Sequence, residues 1–257
     1  MTIQTVTVIG ANGTMGRNIS GIFASFGNAK VYMVARNLKK AEVARAKAAL
    51  SVKASSVANR LVAADYSMLE TCVSESELIF EAVFEDINIK KEVAQTVSKV
   101  MKLDAIACSG TSGLSITTLA EQYPEHLRSR FFGVHMFNPP YSLNLCELTP
   151  TKYSDMELCE ELGTYLNDVL YRTVVKVKDS PAFLGNRIGF QFINEVLQYA
   201  EKYKDSGGID YMDAILGSFS GRSMAPLVTA DFVGLDIHKA IIDNLYENTT
   251  DYAHETF

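Results

Sequence analysis

The feature that most narrows the fold of this chain lies at its start. A β-branched run, Thr5 to Ile9, passes directly into Gly10-Ala11-Asn12-Gly13-Thr14-Met15-Gly16, and a helical pattern follows. Small residues there let the backbone turn tightly from strand to helix, and the helix N-terminus then offers unpaired N–H groups and a positive dipole to a pyrophosphate. The spacing Gly-x-x-Gly-x-x-Gly is one residue longer than the usual dinucleotide fingerprint. A lone glycine pattern can be a purely structural turn. Its place between a first strand and a helix favours a nucleotide role for Gly10, Asn12, Gly13, Thr14, Met15 and Gly16.

The rest of the first 180 residues repeats strand and helix patterns. Strands are expected at Lys30–Val34, Leu61–Ala63, Leu78–Val83, Ala105–Cys108, Phe131–Val134, Asn144–Leu148 and Thr173–Val177. Ile89, Val93, Val97 and Val100 recur near a 3.6 period, so Ile87–Met101 reads as an amphipathic helix, and a second helix is expected at Ser154–Leu170. Such alternation predicts an α/β domain on a mostly parallel sheet covered on both faces. After Ser180-Pro181 the texture changes. Helical patterns dominate at Leu184–Lys204, Asp210–Leu216 and Leu235–Tyr246, which places an all-helical domain at residues 181–257 behind a sheet domain at 1–180.

Composition removes several function classes. Of 257 residues, 47% are apolar and 21% charged, enough for a sizeable core and too apolar for wholesale disorder. The 24 Lys and Arg against 30 Asp and Glu give a net charge of -6, the wrong balance for a general nucleic-acid binder. The charge is uneven: Lys30–Arg60 holds eight basic residues and one acid, and Leu61–Ile87 holds seven acids and no base. Solvated helix faces account for this, and so does a local anion site. The start of the chain lacks the pattern of a signal peptide, and no window is apolar enough to span a membrane. Cys72, Cys108, Cys146 and Cys159 have no metal-ligand spacing, so no metal is expected. A reducing, cytoplasmic setting is.

The end of the second strand bears on the choice of dinucleotide. An Asp or Glu there would accept hydrogen bonds from the NAD ribose. Here the chain reads Ala35-Arg36-Asn37 followed by Lys39 and Lys40. An arginine can pair with a 2′-phosphate, so NADP is the expected cofactor and NAD the alternative; Arg36 as an ordinary exposed residue is the plain reading.

Oxidising a secondary alcohol needs a group that takes up the hydroxyl proton and titrates near neutrality. Among four histidines, His135 alone is expected just beyond a parallel strand, at the crevice end of such a sheet. His126 and His254 fall in polar stretches, and His238 lies on a late helix with no assigned role. Glu147, in a short apolar strand, is a candidate partner for the His135 ring, with an edge-strand carboxylate as the alternative. Ser112 could donate to the reacting oxygen or serve only as a turn or N-cap residue. A hydrolytic serine is excluded, since no Gly-x-Ser-x-Gly elbow surrounds it.

With these residues in view the chain resembles the 3-hydroxyacyl-CoA dehydrogenase family. The likeness rests on VIGANGTMG (Val8–Gly16), FEAVFEDINIK (Phe80–Lys90), SGTSGLSIT (Ser109–Thr117), GVHMFNPP (Gly133–Pro140), LCEL (Leu145–Leu148), PAFLGNRI (Pro181–Ile188) and DFVGLD (Asp231–Asp236). It implies a dinucleotide-binding sheet domain and a helical domain that completes the substrate cleft and a homodimer. It also implies His135 as catalytic base, Glu147 as its partner, and Ser112 and Asn186 as substrate contacts. Glu85 and Lys90 match positions near the nicotinamide half of the cofactor, and Asn138 one that supports the local geometry.

Departures from the family pattern are specific. Asn12 is extra, Ala35 replaces the ribose-binding Asp, and Gly110-Thr111-Ser112-Gly113 replaces Asn-Thr-Ser-Ser. Ser142–Glu147 lacks the usual lysine, and the lysine-rich helical region that helps hold CoA is reduced to Ala46–Arg60. The family's helical domain continues for several tens of residues, so the one here is expected to be incomplete. The expected function is reversible hydride transfer at the 3-hydroxy or 3-keto group of an acyl-CoA. A free hydroxy acid or other small hydroxy compound is the runner-up substrate, and a non-catalytic nucleotide-binding sensor or scaffold is a third reading.

Overall fold

The computed structural model describes residues 1–52 and 54–250. The chain divides into two compact units between Asp179 and Ser180. The first unit is built on eight strands: β1 (Thr5–Ile9), β2 (Lys30–Ala35), β3 (Leu61–Asp65), β4 (Leu78–Glu81), β5 (Ile106–Ser109), β6 (Phe131–Met136), β7 (Leu145–Thr149) and β8 (Thr173–Lys176). They form one sheet in the order β3-β2-β1-β4-β5-β6-β7-β8, parallel throughout except for the antiparallel β6–β7 pair. This is a Rossmann-like sheet. Strand order reverses around β1, so the crevice lies beyond the C-terminal ends of β1 and β4.

Helices α1 (Thr14–Ser25), α2 (Leu38–Val52), α3 (Ser55–Ala58), α4 (Leu69–Glu75), α5 (Ile87–Val97), α6 (Ile116–Ala120) and α7 (Met156–Thr164) connect the strands. The expected helix at Ser154–Leu170 is split: α7 widens into a π-helical turn, Tyr165–Val169, that buries Tyr165 and Leu166. The core gathers Phe23 of α1, Phe80 of β4 and Phe132 of β6, all fully buried. Phe23 and Phe80 meet edge to face with ring centroids 6.1 Å apart. Such a pair adds about 0.5–1.5 kcal/mol beyond its area burial.

The second unit is all-helical among its described residues, with α8 (Gly185–Lys202), α9 (Gly208–Leu216), α10 (Pro226–Val233) and α11 (Leu235–Asn248). Phe190, Ile193, Val196 and Ala200 recur on one stripe of α8, and each is buried. Phe190 packs with Ala182, Ile242 and Leu245, while Val196 and Ala200 pack with Met212 and Leu227. The sequence reading names no helix between Leu216 and Leu235, yet α10 forms there and begins at Pro226. The proline occupies the first helical turn, where its missing N–H costs nothing.

Candidate active site

The glycine turn is shaped by backbone proximity. Gly10 has φ +85°, and a Cβ there would sit 2.4 Å from the Ala82 carbonyl oxygen at the end of β4. A Cβ on Gly16 would meet the Gly10 carbonyl at 2.5 Å. Gly13 is the N-cap of α1 and has no side chain to cover the first-turn N–H groups. Ala11 is buried, whereas Asn12, Gly13 and Thr14 are exposed and Met15 is half-buried. The extra residue therefore bulges outward between two fixed glycines.

His135 and Glu147 are brought together by strand register. In the antiparallel β6–β7 pair they stand directly opposite each other. Val134, Met136, Cys146 and Leu148, their neighbours along the strands, turn into the core, so the period-2 alternation puts His135 and Glu147 side by side on the other face. Nδ1 of His135 lies 2.7 Å from Oε2 of Glu147, and both side chains are buried. The sequence expectation placed His135 past the strand; it lies within it. Pairing of β6 with β5 ends at Gly133, while β7 carries β6 on to Met136, so His135 extends beyond the end of its parallel neighbour yet remains in a strand. Glu147 is also no edge-strand carboxylate, because β8 covers β7.

The loops after β4 and β5 are tied by a partly buried charge cluster. The Lys90 ammonium is almost fully enclosed, 2.8 Å from Glu81 Oε1 and 3.3 Å from Glu85 Oε2. Glu81 also accepts from the Val83 N–H and the Ser109 hydroxyl, both at 2.6 Å. Glu85 accepts from the Thr111 hydroxyl at 2.5 Å and from the Ser112 N–H at 2.8 Å. Ser112 is exposed and does not cap α6; Ser115 does. Sequence reasoning singles out Glu85, Lys90 and Ser112 and misses Glu81, Ser109 and Thr111. The available signal was a lone carboxylate closing an apolar strand, which demands a buried partner.

Ala35 ends β2 in register with Asp65, which ends β3. The Ser67 hydroxyl and N–H hold the Asp65 carboxyl below its ordinary range. Arg36 is exposed, and its charge reaches the phenol of Tyr66. Asn138 is exposed in the β6–β7 loop, and Asn186 is half-buried near the start of α8 in the helical unit. His126 is exposed, His238 is buried in the helical unit, and His254 lies outside the described residues. All four cysteines are free and buried. Among the described residues, no three His, Cys, Asp or Glu side chains gather as a metal would require, and no helix is long and apolar enough to cross a membrane.

The family model described as "3-hydroxyacyl-CoA dehydrogenase, NAD binding domain" matches residues 5–180, and the one for the C-terminal domain matches residues 183–256. The chain is 32% identical over 186 residues to a probable 3-hydroxyacyl-CoA dehydrogenase of Bacillus subtilis, a match that takes 72% of this chain and spans 23% of that longer protein. It is 30% identical to the mitochondrial hydroxyacyl-coenzyme A dehydrogenase of Sus scrofa, over 95% of this chain and 81% of that one. Its structure superposes on the (S)-3-hydroxybutyryl-CoA dehydrogenase of Ralstonia eutropha with TM-score 0.88 at 26% identity, covering 99% of this chain and 90% of that one. Two family models that together run through nearly the whole chain, with the porcine relative alongside, make this chain a member of the 3-hydroxyacyl-CoA dehydrogenase family.

Proposed function

We propose that the chain catalyses reversible hydride transfer between a nicotinamide dinucleotide and the 3-hydroxy or 3-keto group of an acyl-CoA. The observation that carries this reading is the buried His135–Glu147 pair, 2.7 Å apart on two strands. With the Nδ1 proton donated to Glu147, the basic lone pair of the ring is on Nε2. That nitrogen takes the hydroxyl proton in oxidation and returns it in reduction, while the carboxylate stabilises the imidazolium formed in between. Ser112 donates to the reacting oxygen, and Asn186 provides a second polar contact to the substrate.

A dinucleotide fits the glycine turn, whose tight path a Cβ at Gly10 or Gly16 would disrupt by meeting backbone oxygens at 2.4 and 2.5 Å. Bound there, it supplies the two-electron acceptor or donor for the substrate carbon. Gly13, Thr14, Met15 and Gly16 would hold its phosphates at the start of α1, and Asn12 would flank them. Glu85, Lys90 and Asn138 belong with its reactive end. NADP is the preferred form, because β2 ends in Ala35-Arg36 without a carboxylate and Arg36 offers a bidentate cation to a 2′-phosphate. A homodimer through the helical unit is supported by the exposed Ile209, Phe219, Phe232 and Leu235 side chains. The free cysteines support a cytoplasmic setting.

The test is direct. With NADPH and acetoacetyl-CoA, the near-ultraviolet absorbance of the reduced cofactor should fall on addition of protein. Turnover of acetoacetate and not of its CoA ester would move the substrate to a free hydroxy acid. No turnover of either, with nucleotide bound, would favour the sensor reading.

A further inference from the structure

We propose that Glu81 is a positioning residue for Ser112, acting through a relay that runs from the buried Glu81 and Lys90 to the exposed Glu85 and ends on the Ser112 backbone. The inference rests on the reading of Ser112 as a substrate contact.

Glu81 closes β4 opposite Ser109 of β5, so strand register delivers it to the point where both chains leave the sheet. Its two oxygens divide the work. Oε2 takes the Ser109 hydroxyl, and Oε1 takes the Val83 N–H and the Lys90 ammonium. The second contact of that ammonium is Glu85, on the exposed side of the cluster. Glu85 spends its other oxygen, Oε1, on the Thr111 hydroxyl and the Ser112 N–H. The Thr111 hydroxyl in turn accepts from the Leu114 N–H at 3.1 Å.

Two carboxylates around one buried ammonium define a single low-energy arrangement. Removing one partner strands a charge, whereas the intact set fixes all three heads. The loop carrying Ser112 is therefore held by Glu85 of the β4–α5 loop, itself fixed by Lys90 of α5 and Glu81 of β4, and glycines flank it at Gly110 and Gly113. Such a loop has little local stiffness of its own. Lys90 is enclosed by the cluster and acts in it as the bridging cation. Glu81, which lies a full strand-end behind the surface, sets where that cation sits and so where Glu85 presents its acceptor.

The experiment is a cycle of Glu81→Gln and Ser112→Ala in the full chain, read by turnover and by hydrogen exchange at the Ser112 amide. Thr111→Val joins it as a variant that removes the hydroxyl contact Glu85 makes beside the Ser112 N–H without disturbing a buried charge. Glu81→Gln and Thr111→Val should each lower kcat by about 10-fold, the scale of a sub-ångström to 1 Å misplacement. The Ser112 amide should exchange faster in both variants. In the Ser112→Ala background, Glu81→Gln should change kcat by less than about twofold, since residues acting as a unit are non-additive. Losses that multiply, or an Ser112 amide that exchanges as in the parent, would overturn the relay. If Glu81→Gln does not fold, Glu81→Asp, which keeps the charge and withdraws the carboxylate from Lys90, decides by the same two readouts. A Ser112→Ala protein with parental turnover overturns the role of Ser112 itself. The exchange measurement then still decides whether Glu81 holds the loop.

Discussion

The two units treat their buried histidines in opposite ways. In the sheet unit, every buried charged side chain has a named partner: Glu81 and Lys90 bind each other, His135 binds Glu147, and Arg172 donates to the Leu170 and Pro140 carbonyls. In the helical unit, His238 is buried against the Phe190 ring, and neither of its nitrogens has a hydrogen-bond partner among the described residues. That unit also turns Phe219, Phe232 and Ile188 outward. Strand register supplies pairs of neighbours that satisfy each other. Helix packing supplies apolar stripes, and a polar residue caught in one must find its partner elsewhere or go without. The proposed proton path, through His135 and Glu147, draws on the first arrangement.

The largest test of that contrast is His135→Gln. Turnover should fall by about 10²-fold to 10⁴-fold while dinucleotide binding is nearly unchanged. Retained turnover within about threefold of the parent would move the acid-base chemistry off the β6–β7 pair altogether.

Next in size is Arg36→Ala, at the sheet's exposed rim. A charge-assisted contact to a 2′-phosphate contributes about 1–3 kcal/mol, so NADPH should bind about one to two decades more weakly and NADH almost as before. Tighter binding of NADH than NADPH by the parent protein would reverse the cofactor preference. The Asp65 carboxylate, one strand over from Ala35, would then be the natural partner for a ribose diol.

The smallest effect concerns the helical unit. Burial lowers the His238 pKa below its ordinary 6.5. The unfolded chain therefore binds this proton before the folded one does, so the contribution to stability is complete above pH 6.5 and declines as the pH falls below it. Amide protection in α11 should weaken between pH 7 and 5 in the parent, and His238→Phe should flatten that slope. Asn194, Lys239 and Asp243 line the same cavity of about 290 Å³ and stay in both proteins, so the difference isolates the imidazole. Identical slopes would mean that the ring has found a partner, and the contrast between the units would narrow.

Eight strands were legible from their β-branched runs and their spacing, because each is a short apolar segment bounded by turn residues. His135 and Glu147 were legible as residue types, and their twelve-residue separation was visible. Their adjacency was not, since register across an antiparallel pair depends on how the loop between Phe137 and Asn144 closes, and no periodicity records that. Glu81 escaped for a related reason. It reads as the polar end of a strand, and only the parallel pairing with β5 and the return of Lys90 from α5 reveal it as buried. The α2 helix was legible only in part, through the helical region Ala46–Arg60: its buried face is Ala41, Ala44 and Ala48, which carry too little hydrophobic contrast to mark a stripe.

Gly10 has a consequence for how this family can vary. Its α-carbon is pressed so closely against the end of β4 that the phosphate turn and the loop bearing Glu85 share one backbone wall. The additional Asn12 lies away from that wall and is exposed. The turn behaves like a bridge with two fixed abutments and an adjustable span. Substitutions at Asn12 should retune nucleotide grip while leaving the abutments, and with them the geometry of the reactive end, in place.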